Sequence, residues 1–184
     1  MYRMSNAPLI GDWRSRLLQG LTGLVLEVGA GRGPNLDHYP PAARVIATEF
    51  DEQTIALAHP RSTGHIRLAA ADIEHLAFPD DTFDAVTSSL VFCSVERPIV
   101  GLREVRRVLK PGGQLRLIEH VRSSHEWLGR LQDKFNARWY VWAEGCNLNR
   151  DTEMNIRQAG FELQTVSVNY LGLIKTMLAH KPKL

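Results

Sequence analysis

Three groups of residues carry chemistry by type and spacing. The first is Glu27-Val28-Gly29-Ala30-Gly31-Arg32-Gly33, an acid followed by three alternate glycines. Glycines without side chains let a backbone turn tightly and approach a ligand closely. A dinucleotide-binding loop reads G-x-G-x-x-G. Here the spacing is G-x-G-x-G, and Pro34 stands where the last glycine is required, which argues against a pyrophosphate cradle. The second group is Glu49-Phe50. Glu49 follows the glycines at about the twenty-residue distance from which an acid accepts ribose hydroxyls, and Phe50 can lie against a purine ring. The third is Asp72, in Ala71-Asp72-Ile73-Glu74, a carboxylate that can accept from an adenine amino group.

Two histidines are candidate general bases, because imidazole titrates near neutral pH. His120 lies in Glu119-His120-Val121 and His38 in Asn35-Leu36-Asp37-His38-Tyr39. The competing reading for each is a hydrogen bond to a loop backbone. Glu119 either orients His120 or ends its strand in a hydrogen bond. Cys93 and Cys146 are too few for a disulfide framework or a zinc ligand set, so no metal site is expected. They read as small buried hydrophobes.

These residues need a scaffold that sets them at one edge. Short apolar runs supply strands: Leu24 to Val28, Val45 to Thr48, His65 to Ala69, Phe83 to Ser88, Gln114 to Glu119, Phe161 to Val168 and Lys175 to Ala179. Helical patterns lie between them. One starts at Asp51. Another runs from Val100 to Leu109 with apolar residues at 102, 105, 108 and 109, and ends at Lys110-Pro111-Gly112-Gly113. A third spans Asp151 to Ala159, with Asp151 or Thr152 as its cap and Gly160 as its stop. Strands alternating with helices predict an α/β, Rossmann-like, doubly wound sheet with ligands at the carboxyl ends of its strands. Residues 121–150 break the rhythm and hold Trp127, Trp139 and Trp142 with Phe135 and Tyr140. This segment is either an extra helix whose aromatics cover the sheet or a lid over an apolar substrate pocket.

The chain has 184 residues, within the range of one domain, here 1–184 with 121–150 as the candidate lid. Its 22 Lys+Arg against 20 Asp+Glu give a net charge of +2, too mild and too scattered for a nucleic-acid surface. The first residues carry no apolar core of signal-peptide length, and no apolar run reaches the ~20 residues of a membrane helix. The expectation is a cytoplasmic protein, with contact to a membrane surface left open and the oligomeric state undetermined.

The runs LEVGAGRG, ATEFD, ADIEHLAFPDDTFDAVTSS and LREVRRVLKPGGQLRLIEHV together resemble class I S-adenosylmethionine (SAM)-dependent methyltransferases. The resemblance implies a seven-stranded sheet, mostly parallel with an antiparallel last strand and helices on both faces. It implies SAM as cofactor and S-adenosylhomocysteine as product. Gly29, Gly31 and Gly33 would form the loop around the methionine part, and Glu27 would orient that loop and the amino group. Glu49 would hold the ribose, Asp72 and the Ile73 backbone the adenine, and Ser88 and Ser89 would line the methyl side. Arg32 departs from the small or hydroxyl residue usual at that point. A narrower likeness, in NLDHYPP, LVFCSVERP, IEHV and GCNLNRDT, is to mammalian methyltransferase-like proteins that methylate alkyl thiols and to small bacterial ubiquinone/menaquinone or phospholipid methyltransferases. The mammalian members carry an N-terminal membrane segment, whereas this sequence starts almost directly at the domain. The implied function is methyl transfer to a small apolar acceptor: a thiol, a quinone precursor or a lipid amine. A non-catalytic SAM-binding sensor or interaction domain is the alternative.

Overall fold

The computed structural model describes residues 8–143 and 145–183. Seven strands form one sheet: β1 (Gly23–Val28), β2 (Ala43–Glu49), β3 (Ile66–Ala70), β4 (Phe83–Ser89), β5 (Leu109–His120), β6 (Glu162–Asn169) and β7 (Ile174–His180). Their order is β3-β2-β1-β4-β5-β7-β6. The neighbours from β3 to β5 pair in parallel, and β7 runs antiparallel between β5 and β6. This is the sheet the resemblance implies. The chain moves outward from β1 to β3 and then returns to β4 on the other side of β1. The strand order therefore switches between β1 and β4, and the crevice outside their carboxyl ends is where an open α/β sheet binds ligands.

Both faces of the sheet are covered, which explains why β1 reads as a nearly continuous apolar run. Alternate residues point to opposite faces. Leu26 and Val28 join Val86, Leu115, Leu117, Leu102, Val105 and Ile156 in one core. Val25 joins Val45, Ala47, Ala85, Leu17, Leu18 and Ile55 in the other. Glu27, also on that second face, is the carboxylate this core must accommodate.

Five α-helices lie among the described residues: α1 (Pro8–Leu18), α2 (Glu52–Ala56), α3 (Pro98–Val108), α4 (Glu126–Trp142) and α5 (Thr152–Gln158). The starts follow the sequence. Asp51 accepts from the Gln53 and Thr54 amides to cap α2, and Asp151 accepts from the Met154 amide to cap α5. Pro98 supplies the preset first turn of α3, whose buried residues Gly101, Leu102, Val105 and Val108 form one stripe. Strand β5 begins earlier than its apolar run suggests. Leu109 pairs with Phe83, and the register then jumps to Gln114 opposite Ala85, so Lys110 to Gly113 bulge from the ladder.

Helix α1 has too weak an apolar periodicity to be read from sequence. It is fixed from outside: Leu17 and Leu18 are buried, and Arg116 of β5 donates to the Leu17 and Gln19 carbonyls at 2.8 and 2.9 Å, satisfying the helix's last acceptors. Helix α4 fills most of the 121–150 segment. Among the described residues no helix is long and apolar enough to cross a membrane.

Candidate active site

A cleft of about 1340 Å³ opens at the carboxyl ends of β1, β2 and β4. It exceeds the roughly 300–1,000 Å³ of a single-ligand pocket, leaving room for a cofactor and a second substrate. Of the residues singled out in the sequence, Gly29, Gly31, Glu49, Phe50, Asp72, Ile73, Ser89 and His120 line it.

One half of the cleft is polar. Gly29 and Gly31 both adopt positive φ, +65° and +56°. A Cβ on Gly29 would collide with Val91, so only glycine lets the loops after β1 and β4 touch. A Cβ on Gly31 would meet nothing within 4 Å, so this loop presents bare backbone to the cleft. Glu49 is clamped at the end of β2: its Oε2 accepts from the Gly31 amide at 2.9 Å and its Oε1 from the Phe50 amide at 2.9 Å. Each oxygen keeps acceptor capacity. Phe50 is 75% exposed and lines the cleft, so its ring offers apolar surface to a ligand there. Asp72 accepts from the Glu74 amide at 2.8 Å, which holds the Asp72-Ile73 turn. That bond, aided by His75, keeps the Asp72 carboxyl below the usual carboxylate range.

Glu27 lies behind this wall, 1% exposed. Asn35 Nδ2 donates both to Glu27 Oε1 at 2.8 Å and to Ser89 Oγ at 3.1 Å, tying the buried acid to the cleft. Glu27 Oε2 is buried without a hydrogen-bond partner among the described residues. Burial pushes the Glu27 carboxyl up to about 7; Tyr39, Asn35 and Arg14 only partly offset it. Arg14, from α1, is itself buried and lines the cleft, and burial lowers its pKa against the pull of Glu27.

The other half is apolar. Leu90 turns the chain after β4 with φ +62°. The three amides that follow converge on Glu119, which is fully buried: Val91 and Phe92 donate to Oε1 at 3.1 and 3.0 Å, and Cys93 to Oε2 at 3.1 Å. Glu119 thus ends its strand in hydrogen bonds that shape the β4 loop. His120 is 4% exposed, and its Nδ1 lies 3.5 Å from Cys146 Sγ. Trp139 and Trp142 of α4 close the wall, with ring centroids 5.1 Å apart.

Four chosen residues do not line the cleft. Ser88 is buried and donates to Glu119 Oε1 at 3.3 Å. Gly33 packs against Leu36 and Ala58. Glu27 stands behind the wall. The base reading of His38 gains no support from its position, since its ring meets Ser15 of α1 at 2.9 Å outside the lining. Asn147 and Arg150 serve as anchors: the Asn147 amide donates to the Cys93 carbonyl at 2.8 Å, and Arg150 donates to the Phe92 and Val95 carbonyls at 2.7 and 2.5 Å. Arg14, Asn35 and Val91 went unchosen. Asn35, directly after the glycine loop, had the only local signal.

An orphaned buried acceptor, a bare glycine backbone, a clamped acid and an exposed aromatic ring fit SAM: ammonium, methionine chain, ribose and adenine each find a complementary group. The fold and this cleft are those of a Rossmann-like methyltransferase domain. The family described as "Methyltransferase domain" matches residues 26–117. The chain belongs to this methyltransferase-domain family. It is 36% identical over 158 residues to the human thiol S-methyltransferase TMT1B, covering 78% of this chain and 64% of that protein. It is 36% identical over 123 residues to the ubiquinone/menaquinone biosynthesis C-methyltransferase UbiE of Cellvibrio japonicus, covering 62% of this chain and 49% of that one. The chain therefore spans less than two thirds of these curated relatives. A SAM-dependent methyltransferase from Mesorhizobium loti superposes with TM-score 0.73 at 16% identity, covering 96% of this chain and 99% of that one. The [4+2]-cyclase SpnF superposes at 0.78 with 20% identity, covering 96% and 81%. A cyclase among the neighbours makes plain that such likeness carries fold, not activity.

Glu27 gives the site a pH signature. Its folded pKa of about 7 lies above its ordinary 4.5, so the folded state binds more protons in that window. Stability of the ligand-free chain should fall as pH rises through it. An ammonium group is best met by the ionised acid. SAM affinity should therefore rise by up to about tenfold per pH unit toward pH 7 and level off above it, with proton release. Calorimetry in buffers of different protonation enthalpy reads this directly, and a flat profile in the unmodified chain would remove Glu27 from the site. Glu27→Gln should flatten the profile.

Proposed function

We propose that this chain transfers the methyl group of SAM to the sulfur of a small, apolar thiol. The observation that carries the reading is that one cleft joins the acids Glu49 and Asp72 to an apolar wall of Val91, Trp139 and Trp142, with His120 in its lining. SAM supplies a methyl group already activated on a sulfonium sulfur, together with its own leaving group. What remains for the protein is alignment and exclusion of water, and alignment can account for roughly 7–11 kcal/mol of a barrier. Glu49 and Asp72 fix the cofactor's nucleoside end, and the glycine loop and Glu27 its amino acid end. The tryptophans of α4 receive the apolar acceptor, and His120 is the polar group that meets its thiol. A thiol, with a pKa near 8.5, needs little help to ionise.

In this reading the 121–150 segment is the lid. Its roots are held by Asn147 and Arg150 on the β4 loop, while Trp127, Val141 and Trp142 remain exposed and suit arrival of the acceptor from an apolar phase or membrane surface. Both cysteines are free thiols, in keeping with a reducing cytoplasm. The thiol S-methyltransferase likeness supports sulfur as the acceptor atom, and the C-methyltransferase likeness supports a quinol carbon as the second reading. The purified chain incubated with methyl-labelled SAM and a panel of alkyl thiols, quinols and lipid amines should label thiol sulfur. Label on quinol or amine alone would replace the thiol reading, and no label on any acceptor would revive a binding-only domain.

A further inference from the structure

Cys93, His120 and Cys146 come from three places in the chain: the loop after β4, the last residue of β5 and the turn after α4. One donor atom from each lies within 4.8 Å of the others, and all three residues are buried. Methyl transfer by alignment alone gives no reason to gather two thiols and an imidazole at this point. Their geometry suits an ion. With Zn–S near 2.3 Å and Zn–N near 2.0–2.1 Å, the S···N edge of a zinc tetrahedron is about 3.5 Å. Cys146 Sγ and His120 Nδ1 are 3.5 Å apart. Two thiolates and an imidazole are soft donors that select zinc over hard cations, and two thiolates cancel the ion's charge, which suits a buried position.

The frame around the three donors is tight. Cys93 is fixed on both sides, its amide donating to Glu119 Oε2 at 3.1 Å and its carbonyl accepting from the Asn147 amide at 2.8 Å. The residues flanking those two partners are His120 and Cys146 themselves. Three protein ligands leave a fourth position open, as in zinc sites that act on substrate. His120 and Cys146 line the cleft, whereas Cys93 does not. The open position therefore faces the apolar half.

We propose that Cys93, His120 and Cys146 bind one zinc ion whose fourth ligand is the sulfur of the acceptor thiol. The second part rests on the thiol reading of the cleft. On entry of the acceptor, the bond from zinc to a water in its fourth position would give way to an S–Zn bond, the S–H bond would break, and the water and the proton would leave to solvent. The sulfur is then held as a thiolate at neutral pH, since a coordinating thiol is deprotonated outright.

The test is titration of the full, reduced, metal-free chain with Co²⁺ alone. The expected result is one ion per chain, with a thiolate-to-cobalt charge-transfer band and the visible bands of a tetrahedral centre. Cys93→Ser and Cys146→Ser should each lose the band, and His120→Asn should weaken binding while keeping thiolate character, with circular dichroism showing each variant folded. Adding an alkyl thiol to the cobalt-loaded chain should shift the visible bands and release a proton. A folded wild-type chain without the band, or a band that survives in both cysteine variants, overturns the ion site. A band that no thiol shifts overturns the fourth ligand. Full-rate thiol methylation by the chelated chain would sink this inference while sparing the thiol reading. A normal cobalt centre with transfer to quinols or amines only would keep the ion site but remove the thiol reading, and the fourth ligand with it.

Discussion

Glu49→Ala is expected to weaken SAM binding by about 3–4 kcal/mol, roughly 10²–10³-fold. The size follows from the number of bonds lost. A carboxylate offers about four lone-pair positions. The Gly31 and Phe50 amides each occupy one, at 2.9 Å, and so fix the carboxylate at the end of β2. The remaining positions are available to the two ribose hydroxyls, and each hydrogen bond to a charged acceptor contributes about 1.5–3 kcal/mol. Both protein amides lie at the open cleft, so water can replace the carboxylate there and the fold should survive. Glu49→Gln should fall between, because one acceptor oxygen is replaced by a donor. Calorimetry with SAM, alongside circular dichroism, measures both halves of this expectation. Unchanged affinity in a folded Glu49→Ala chain would refute the placement of the ribose beside Glu49.

Glu119→Leu should produce the largest loss of stability, about 4–6 kcal/mol, which for a chain of this size lowers Tm by roughly 10–20 °C. Three consecutive amides, Val91 to Cys93, donate to this one fully buried carboxylate, and Ser88 adds a hydroxyl. Leucine fills a similar volume but accepts nothing, leaving buried donors at about 1–3 kcal/mol each. Burial raises the Glu119 pKa and the backbone donors pull it back down, which is how a buried acid is kept in an apolar wall. Glu119→Gln, which keeps one oxygen, should lose less. Thermal unfolding decides the matter: a Tm within two or three degrees of wild type for Glu119→Leu would mean that water satisfies these amides. Because the same loop touches Gly29 through Val91, the leucine variant should also bind SAM less well, an effect at a distance of two loops.

The cofactor half of the cleft was legible in the sequence because its parts are local. In a parallel sheet successive strands deliver their carboxyl ends to one edge, so an acid or glycine placed directly after an apolar run reaches that edge whatever else the chain does. Gly29, Gly31, Glu49, Phe50, Asp72 and Ile73 all line the cleft for this reason. The caps Asp51 and Asp151 were legible for a related reason, since a capping side chain binds amides two or three residues away.

The acceptor half depended on strand order, and nothing local records strand order. His38 and His120 both follow elements at the same edge. One meets Ser15 of a helix with little apolar periodicity, and the other meets Cys146 of the turn after α4. The sequence offered Glu119 two roles; the turn at Leu90, which aims three amides at it, selected one of them. Cys93 and Cys146 read separately as small hydrophobes, and they and His120 are separated by 26 residues or more. Their meeting requires β5 to lie beside β4 and the end of α4 to fold back over both. Apolar periodicity determined which elements form, and the resemblance of the glycine and acid motifs to a known family implied the cofactor. The crossovers that set strand order, together with long-range hydrogen bonds such as Asn147 to Cys93, decided which side chains face the second substrate.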